Sequence, residues 1–355
     1  MGNQTKKRFV VACGGTGGHV FPGLAVANVL RARGHEVTVW LSGRDIEQST
    51  LNAWNGPIFS TGARQLSLKT LFSLIRSLWI CKREMRRYKP DAILAMGSYS
   101  SLPPVLAAWS AKVPIMLHEA NAVPGKAIDF LSRFATRVAI SFEVTAKWLR
   151  RTPTVYTGLP IRSGLIGQPP FSDIPKEAFT FLVTGGSQGA HRVNELAAQA
   201  FTLLQKEPQV KPFYVIHQCG KADEAWLKET YEKNGVQARV AAFIPEMGRA
   251  FASADFVVCR AGASTCFELC ALGKAALLIP LPSAIRNHQH LNAEALVMAN
   301  AADEAAQSEL TGRSLERYLR NKMNNPTQIR QMELAMKTCA VPDADVRVAQ
   351  ALESL

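Results

Sequence analysis

The chain has 355 residues, 47% of them apolar, with 41 Lys and Arg against 28 Asp and Glu and a formal net charge of +13. That length predicts two or three domains with sizeable cores, and no apolar run is long enough for a membrane-crossing helix. The seven cysteines (13, 81, 219, 259, 266, 270 and 339) form no CxxC pair. This predicts reduced thiols in a cytosolic protein, not a disulfide frame or zinc site, while the basic balance points to an anionic partner: nucleic acid, membrane surface or phosphorylated substrate.

Met1 to Arg8 is basic, but the apolar run behind it breaks at Gly14, too soon for a secretory signal. That run, Phe9–Cys13, is the first strand candidate. It ends in Gly14-Gly-Thr-Gly-Gly18 and His19, and a helix is predicted from Val20 to Arg33. Further strands are predicted at Glu36–Leu41, Ala92–Met96, Ile115–His118, Val138–Ser141 and Val155–Thr157. After a Pro- and Gly-rich loop, Gly158 to Pro175, a second series follows at Phe179–Thr184, Phe213–Gln218, Val240–Phe243, Phe256–Cys259 and Ala275–Leu281. Continuous apolar strands separated by helices predict parallel sheets covered on both faces. Ligand sites then lie beyond the carboxyl ends of the strands. Val11-Ala-Cys-Gly-Gly-Thr-Gly-Gly18 and Leu182-Val-Thr-Gly-Gly-Ser-Gln-Gly189 echo each other, so the fold class is α/β, two similar doubly wound domains facing each other across a cleft. The expected division is 1–163 and 164–340, with the helical tail 341–355 returning to the first domain.

Both Gly-Gly turns offer backbone N–H groups and a helix N-terminus to an anion; tight turns needing positive φ are the alternative. Val20 breaks a GxGxxG pattern and no Lys-Ser/Thr follows either turn, which disfavours a dehydrogenase or a P-loop kinase. A third turn lies at Val257-Val-Cys-Arg-Ala-Gly-Ala-Ser-Thr-Cys-Phe-Glu268. There Gly262 permits a sharp bend, Ser264 or Thr265 starts a helix, and Glu268 follows about one turn in. A carboxylate at that place can accept two hydrogen bonds from a vicinal diol such as a ribose, or pair with the helix dipole. His118-Glu-Ala-Asn121 and Asn287-His-Gln-His-Leu-Asn292 set polar groups in apolar surroundings. Their histidines lack HExxH spacing, so no metal is expected. Arg162, between the two series, can reach a phosphate or be a surface arginine.

Leu71 to Lys89 reads as a two-faced helix. At about 100° per residue, Leu74, Ile75, Leu78, Cys81 and Met85 gather around Leu71 as a core face. The next arc holds Arg86, Trp79, Phe72, Arg83, Arg76 and Arg87, with Ile80 just beyond. Between Arg64 and Lys89 there are eight Lys or Arg and one Glu. Rings among arginines suit an anionic lipid headgroup region; the alternative is a helix packed on both sides, with arginine stems over the rings. The membrane contacts expected are Phe72, Arg76, Trp79, Ile80 and Arg83.

Gly14-Gly-Thr-Gly-Gly-His-Val-Phe-Pro-Gly-Leu-Ala25, His118-Glu-Ala-Asn121, Gly158-Leu-Pro-Ile-Arg162, Gly185-Gly-Ser-Gln-Gly-Ala190, Cys259-Arg-Ala-Gly-Ala263 and Asn287-His-Gln-His-Leu-Asn-Ala293 together resemble the MurG family of bacterial GT-B glycosyltransferases, family 28. That family adds N-acetylglucosamine to the lipid-linked muramoyl-peptide precursor of peptidoglycan. The resemblance implies a C-terminal domain for UDP-N-acetylglucosamine and an N-terminal domain for the lipid I acceptor. It places Ile244 at the uracil through its backbone and Glu268 on the ribose. Ser187, Arg162 and the helix start Ala263, Ser264, Thr265, Cys266 and Phe267 fall near the diphosphate, and Gln289 and Asn121 at the sugar. Thr16, Gly17 and Gly18 would line the junction of donor and acceptor, with His19 and Glu119 beside it. One loop departs: the family's Gly-Gly-Tyr-Val-Ser-Gly-Pro is here Gly97-Ser-Tyr-Ser-Ser-Leu-Pro103.

The implied reaction is inverting attack by the muramoyl C4 hydroxyl on the anomeric carbon, with UDP leaving and no cofactor. A base must take the hydroxyl proton; His19 is the first candidate and Glu119 the second. A lipid-anchored acceptor implies peripheral binding to the cytoplasmic face of the inner membrane. The rival from another class is a non-catalytic sugar-nucleotide or nucleic-acid binding protein; basic residues interleaved with stacking aromatics in an RRM- or OB-like pattern would support it, and none is found. A UDP-N-acetylglucosamine epimerase shares the architecture and is the rival among enzymes.

Overall fold

The computed structural model describes residues 5–15, 17–43, 54–63, 71–162, 164–186 and 189–355, with Leu71 as backbone only. Thr16, Ser187 and the basic stretch 64–70 lie outside the described residues. The chain divides into two compact units, Met1–Arg162 with Val341–Leu355, and Ser163–Ala340.

The first unit is built on β1 (Arg8–Ala12), β2 (Glu36–Leu41), β3 (Ile58–Ser60), β4 (Ala92–Ala95), β5 (Ile115–Glu119), β6 (Arg137–Ile140) and β7 (Thr154–Tyr156). They pair in the order β3-β2-β1-β4-β5-β6-β7, each pair parallel. Side chains alternate across a strand, and β1 shows why a continuous apolar run is needed. Phe9, Val11 and Cys13 enter one core with α1 (Gly17–Ala32), while Val10 and Ala12 enter a second core. That second core is covered by α2 (Leu71–Tyr88), α3 (Leu102–Ser110), α4 (Lys126–Leu131) and the 3₁₀ segment Glu143–Trp148. Both faces are therefore dry, as parallel sheets require.

The second unit repeats the plan with β8 (Phe179–Thr184), β9 (Phe213–Gln218), β10 (Ala238–Ala241), β11 (Phe256–Cys259), β12 (Ala276–Leu278) and β13 (Ala302–Glu304). The order is β10-β9-β8-β11-β12-β13, that of the first sheet without its seventh strand. Its helices are α5 (His191–Gln205), α6 (Glu224–Lys233), α7 (Met247–Ser253), α8 (Ala263–Leu272), α9 (His288–Met298), α10 (Gly312–Asn324) and α11 (Pro326–Thr338). The last helix, α12 (Ala344–Glu353), belongs to the first unit, where Val348, Ala349 and Leu352 join the α1 core. Gly158, at φ +72°, permits this return: a Cβ there would stand 2.6 Å from Cβ of Val341.

Four expectations need correction. The three-residue strands β3 and β13 are absent from the sequence reading; both are sheet edges, too short to show a pattern. Helix α1 begins at Gly17, before Val20. Helix α8 begins at Ala263 behind an extended Gly262, so Ser264 and Thr265 lie inside its first turn rather than starting it. Ile75 is 59% exposed; the buried stripe of α2 runs through Ser77, Cys81 and Met85 and turns Ile75 outward.

Candidate functional site

In the first unit, the carboxyl end of β1 runs into the Gly14 turn. Gly15 has φ +135°, and a Cβ on it would stand 3.0 Å from the Ser98 hydroxyl and 3.5 Å from Nδ1 of His19. A Cβ on Gly97 would lie 3.6 Å from the His19 ring and from Ile128. The glycines thus make room for an imidazole held between two turns. His19 is half-buried, and desolvation among these neighbours holds its pKa down at about 4. The imidazole is neutral, with Gly17 and the exposed Gly18 beside it.

Glu119 ends β5 and is buried. Its Oε1 accepts from the backbone N–H of Asn121 at 2.9 Å and from Asn121 Nδ2 at 3.1 Å, and its Oε2 accepts from the N–H of Gly125 at 2.8 Å. Burial raises its pKa, against the opposing hydrogen bonds from Asn121 and Gly125. With both oxygens engaged, the carboxylate organises the 120–125 loop and orients Asn121. Neighbouring His118 is also buried. Nε2 lies 3.2 Å from the Gly158 carbonyl and is its donor, and desolvation keeps this imidazole neutral, with a pKa of about 4.

The Gly97 loop, which lacks two glycines of the resembled pattern, is held by hydroxyls. Ser100 donates to the Gly14 carbonyl and Ser101 to the Gly97 carbonyl. Ser98 takes φ 67°, ψ 165°, a region that belongs almost entirely to glycine. The strained hydroxyl stands over Gly15, beside His19. Sequence reasoning marked this loop only as a departure and did not single out Ser98.

In the second unit, the β8 turn places Gly186 at φ +88° with open space where a Cβ would stand. Gly189 is forced by contact: a Cβ there would lie 2.0 Å from the Cys219 carbonyl oxygen. Gln218 links this turn to the next strand end. Its Nε2 donates to the Gly186 carbonyl at 3.1 Å, and its Oε1 accepts from the N–H of Ile244 at 2.9 Å. The backbone of Ile244 therefore has its N–H engaged within the protein. Gly262 leaves open space before α8. Ser264 and Thr265 are half-buried there, whereas Ala263, Cys266 and Phe267 bury their side chains, and the N–H of Cys266 donates to the Gly262 carbonyl at 3.0 Å. Glu268 is buried further along the same helix. Gln289, on the first turn of α9, accepts from the N–H of Leu281 at 2.9 Å. The two residues before α9, Arg286 and Asn287, both adopt positive φ, 54° and 56°; such strain clusters at functional sites. Arg162 is half-buried at the end of the first unit. Among the described residues no group of three or more His, Cys, Asp or Glu could hold a metal ion.

The N-terminal domain model of glycosyltransferase family 28 matches residues 9–140 and its C-terminal domain model residues 180–348. The UDP-N-acetylglucosamine--N-acetylmuramyl-(pentapeptide) pyrophosphoryl-undecaprenol N-acetylglucosamine transferase of Aeromonas hydrophila subsp. hydrophila is 38% identical, over 98% of this chain and 97% of its own. The chain belongs to glycosyltransferase family 28. Among solved structures, MurG of Acinetobacter baumannii is 30% identical with a TM-score of 0.80, covering 98% of this chain and 100% of that one. UDP-GlcNAc 2-epimerase from Neisseria meningitidis, bound to UDP-GlcNAc, has a TM-score of 0.75 at 13% identity, covering 98% and 100%; that likeness is one of fold. The two parallel-sheet units are thus the GT-B fold of a family 28 glycosyltransferase.

A further surface in this family 28 chain lies on the first unit. On α2, Phe72 is 87% exposed and Trp79 64%, with Arg76 and Arg83 exposed and Ile80 half-buried. Trp109, Phe130 and Trp148 are exposed on the elements that cover the same sheet face. Arg133 stands over the Phe130 ring at 5.1 Å and Lys147 near the Trp148 ring at 5.7 Å. Sequence reasoning missed these three rings; a basic residue beside or three from each of the last two was the available signal.

Proposed function

We propose that this enzyme transfers N-acetylglucosamine from UDP-N-acetylglucosamine to the C4 hydroxyl of the N-acetylmuramoyl-pentapeptide carried on undecaprenyl diphosphate, with inversion at the anomeric carbon. The substrates follow from the named activity of the 38% identical relative. The observation that carries the chemistry is the neutral His19 imidazole, held at the Gly14–Gly18 turn with a pKa of about 4. The hydroxyl proton passes to His19 as the C4 oxygen bonds to the anomeric carbon. The bond from that carbon to the phosphate oxygen breaks, and its electron pair leaves with UDP. Glu119 positions the loop that carries Asn121, its Oε1 accepting two hydrogen bonds and its Oε2 one, and stays the second candidate for the base.

The donor is assigned to the second unit. The Ile244 carbonyl can accept from the uracil N–H, while its own N–H is held by Gln218. Glu268 takes the ribose diol, and Gln289 the sugar. The Gly186 turn and the α8 N-terminus with Ser264 and Thr265 meet the diphosphate, where preorganised donors stabilise the charge on the leaving group. The acceptor is assigned to the first unit, with Gly17 and Gly18 beside the reacting hydroxyl. Phe72, Ile75 and Trp79, with Arg76, Arg83 and the rings at 109, 130 and 148, form a face for anionic lipid, so the enzyme works as a peripheral protein on the cytoplasmic side of the inner membrane.

Product analysis tests the reading. With UDP-N-acetylglucosamine and a short-chain lipid I analogue, the expected products are UDP and a β-linked disaccharide, and donor alone stays unchanged. Conversion of the donor to its 2-epimer without acceptor would replace the transferase reading with an epimerase.

A further inference from the structure

At the carboxyl edge of the first sheet, beyond β2 and β3, lies a cavity of about 760 Å³. Ser42, Ser60 and Gly62 line it from the strand ends, and Phe72, Arg76 and Ser77 from α2. The α2 residues repeat at helical spacing along the flank between the exposed arc and the buried stripe. The hydroxyl of Ser60 closes one wall against Gly43, where a Cβ would meet it at 2.6 Å. Among the described residues Arg76 has no carboxylate partner; the ion pair on α2 is that of Arg87 with Glu84. Among the described lining residues, serine hydroxyls and one guanidinium stand beside apolar side chains; such a guanidinium suits a carboxylate, which its planar fork can bind through two hydrogen bonds.

The position of the cavity says which carboxylate. In the sheet register Ala12 lies against Trp40, and Leu41 against Ser60, so Ser42 is one strand from the Gly14 turn and Ser60 two. Strands are about 4.8 Å apart, which sets the pocket roughly 5–10 Å from the end of β1. His19 reaches toward the same side of the sheet, since its ring and Ile128, a member of the α2–α4 core, both border Gly97. In a muramoyl acceptor the hydroxyl that reacts at C4 is next to the C3 lactyl ether that bears the peptide. With that hydroxyl at His19, an extended peptide advancing about 3.3 Å per residue covers the gap in two or three residues.

We infer that the Ser42–Ser60–Arg76 cavity is a subsite for the peptide of the acceptor, in which Arg76 pairs with a peptide carboxylate and the serine hydroxyls meet peptide amides. This rests on the transferase reading above. The test uses two soluble short-chain acceptors, one with the full pentapeptide and one with the lactyl group capped as a methylamide. Arg76→Gln is expected to raise the KM of the peptide-bearing acceptor about tenfold, with the donor KM unchanged and the effect confined to that acceptor. Ser42→Ala with Ser60→Ala, which leaves the guanidinium in place, is expected to raise the same KM severalfold. Equal effects on both acceptors, or a loss of binding to anionic vesicles with no change in either KM, would overturn the subsite; the second result would make Arg76 a lipid contact only. Failure of the parent enzyme to transfer sugar to either acceptor would instead remove the transferase reading, and the subsite with it.

Discussion

A histidine held at a pKa of about 4 can accept a proton at any pH at which the cell works. The shift also has a sign that kinetics can read. The catalytic form of a base is the deprotonated one, so kcat/KM falls on the acid side as pH drops through the free-enzyme pKa. For an ordinary imidazole that limb would centre near 6.5. Desolvation of His19 should move it below pH 5, toward about 4. His19→Ala is expected to lower kcat by roughly 10²-fold with the donor KM kept, and to abolish that limb. A limb that survives in His19→Ala would assign the base to another group. The glycine-rich turn and the histidine after it are legible in the sequence because they are local. What Glu119 does is not legible, because it depends on the chain folding back at Gly125 to bring its N–H to the carboxylate. The strain at Ser98 is hidden for the same reason: the sequence shows a serine, and only the backbone shows the positive φ.

Among the elements, α2 separates three tasks by angle. Cys81 and Met85 face the core, Ile75 and Trp79 face outward among arginines, and the flank from Phe72 through Arg76 to Ser77 lines the cavity. Exposed rings of this size on one helix face mark an interaction surface. Ile75→Ser combined with Trp79→Ser is expected to weaken binding to anionic vesicles severalfold while activity on a soluble short-chain acceptor stays close to that of the parent. Unchanged vesicle binding at both low and high salt would remove this face from the membrane. The helical period located α2 and its exposed arc, but it misplaced Ile75. The centre of the buried stripe is set by the contact with the sheet, and Ser77, a polar residue, marks it. The long buried strands were equally readable, since both faces of each are apolar. The edges β3 and β13 were not: Ile58-Phe-Ser and Ala302-Asp-Glu have too few residues to show a period.

At the scale of the whole molecule, the chain leaves the second unit at Ala340 and finishes on the first. Apolar burial by Val348, Ala349 and Leu352 places α12 against α1, and Glu353 fixes its end. The Glu353 carboxylate accepts from Arg33 at 2.6 Å and lies 3.0 Å from Nε2 of His35, while its main-chain carbonyl accepts from Lys7 at 2.6 Å. The tail thereby joins β1, α1 and the start of β2. Removing the carboxylate leaves Arg33 and the buried His35 without their shared partner. Hydrogen bonds to a charged group contribute about 1.5–3 kcal/mol, so Glu353→Ala should lower the stability of the first unit by roughly that amount. Tryptophan emission can localise the loss, because residues 40, 54, 79, 109 and 148 lie in the first unit and only Trp226 in the second. The expected result is a fluorescence transition moved to lower denaturant, while amide exchange in β8, β9 and β11 keeps the protection of the parent. Equal loss of protection in the second unit would mean that the two units unfold as one cooperative block, and that the tail stabilises the whole chain rather than the sheet on which it ends.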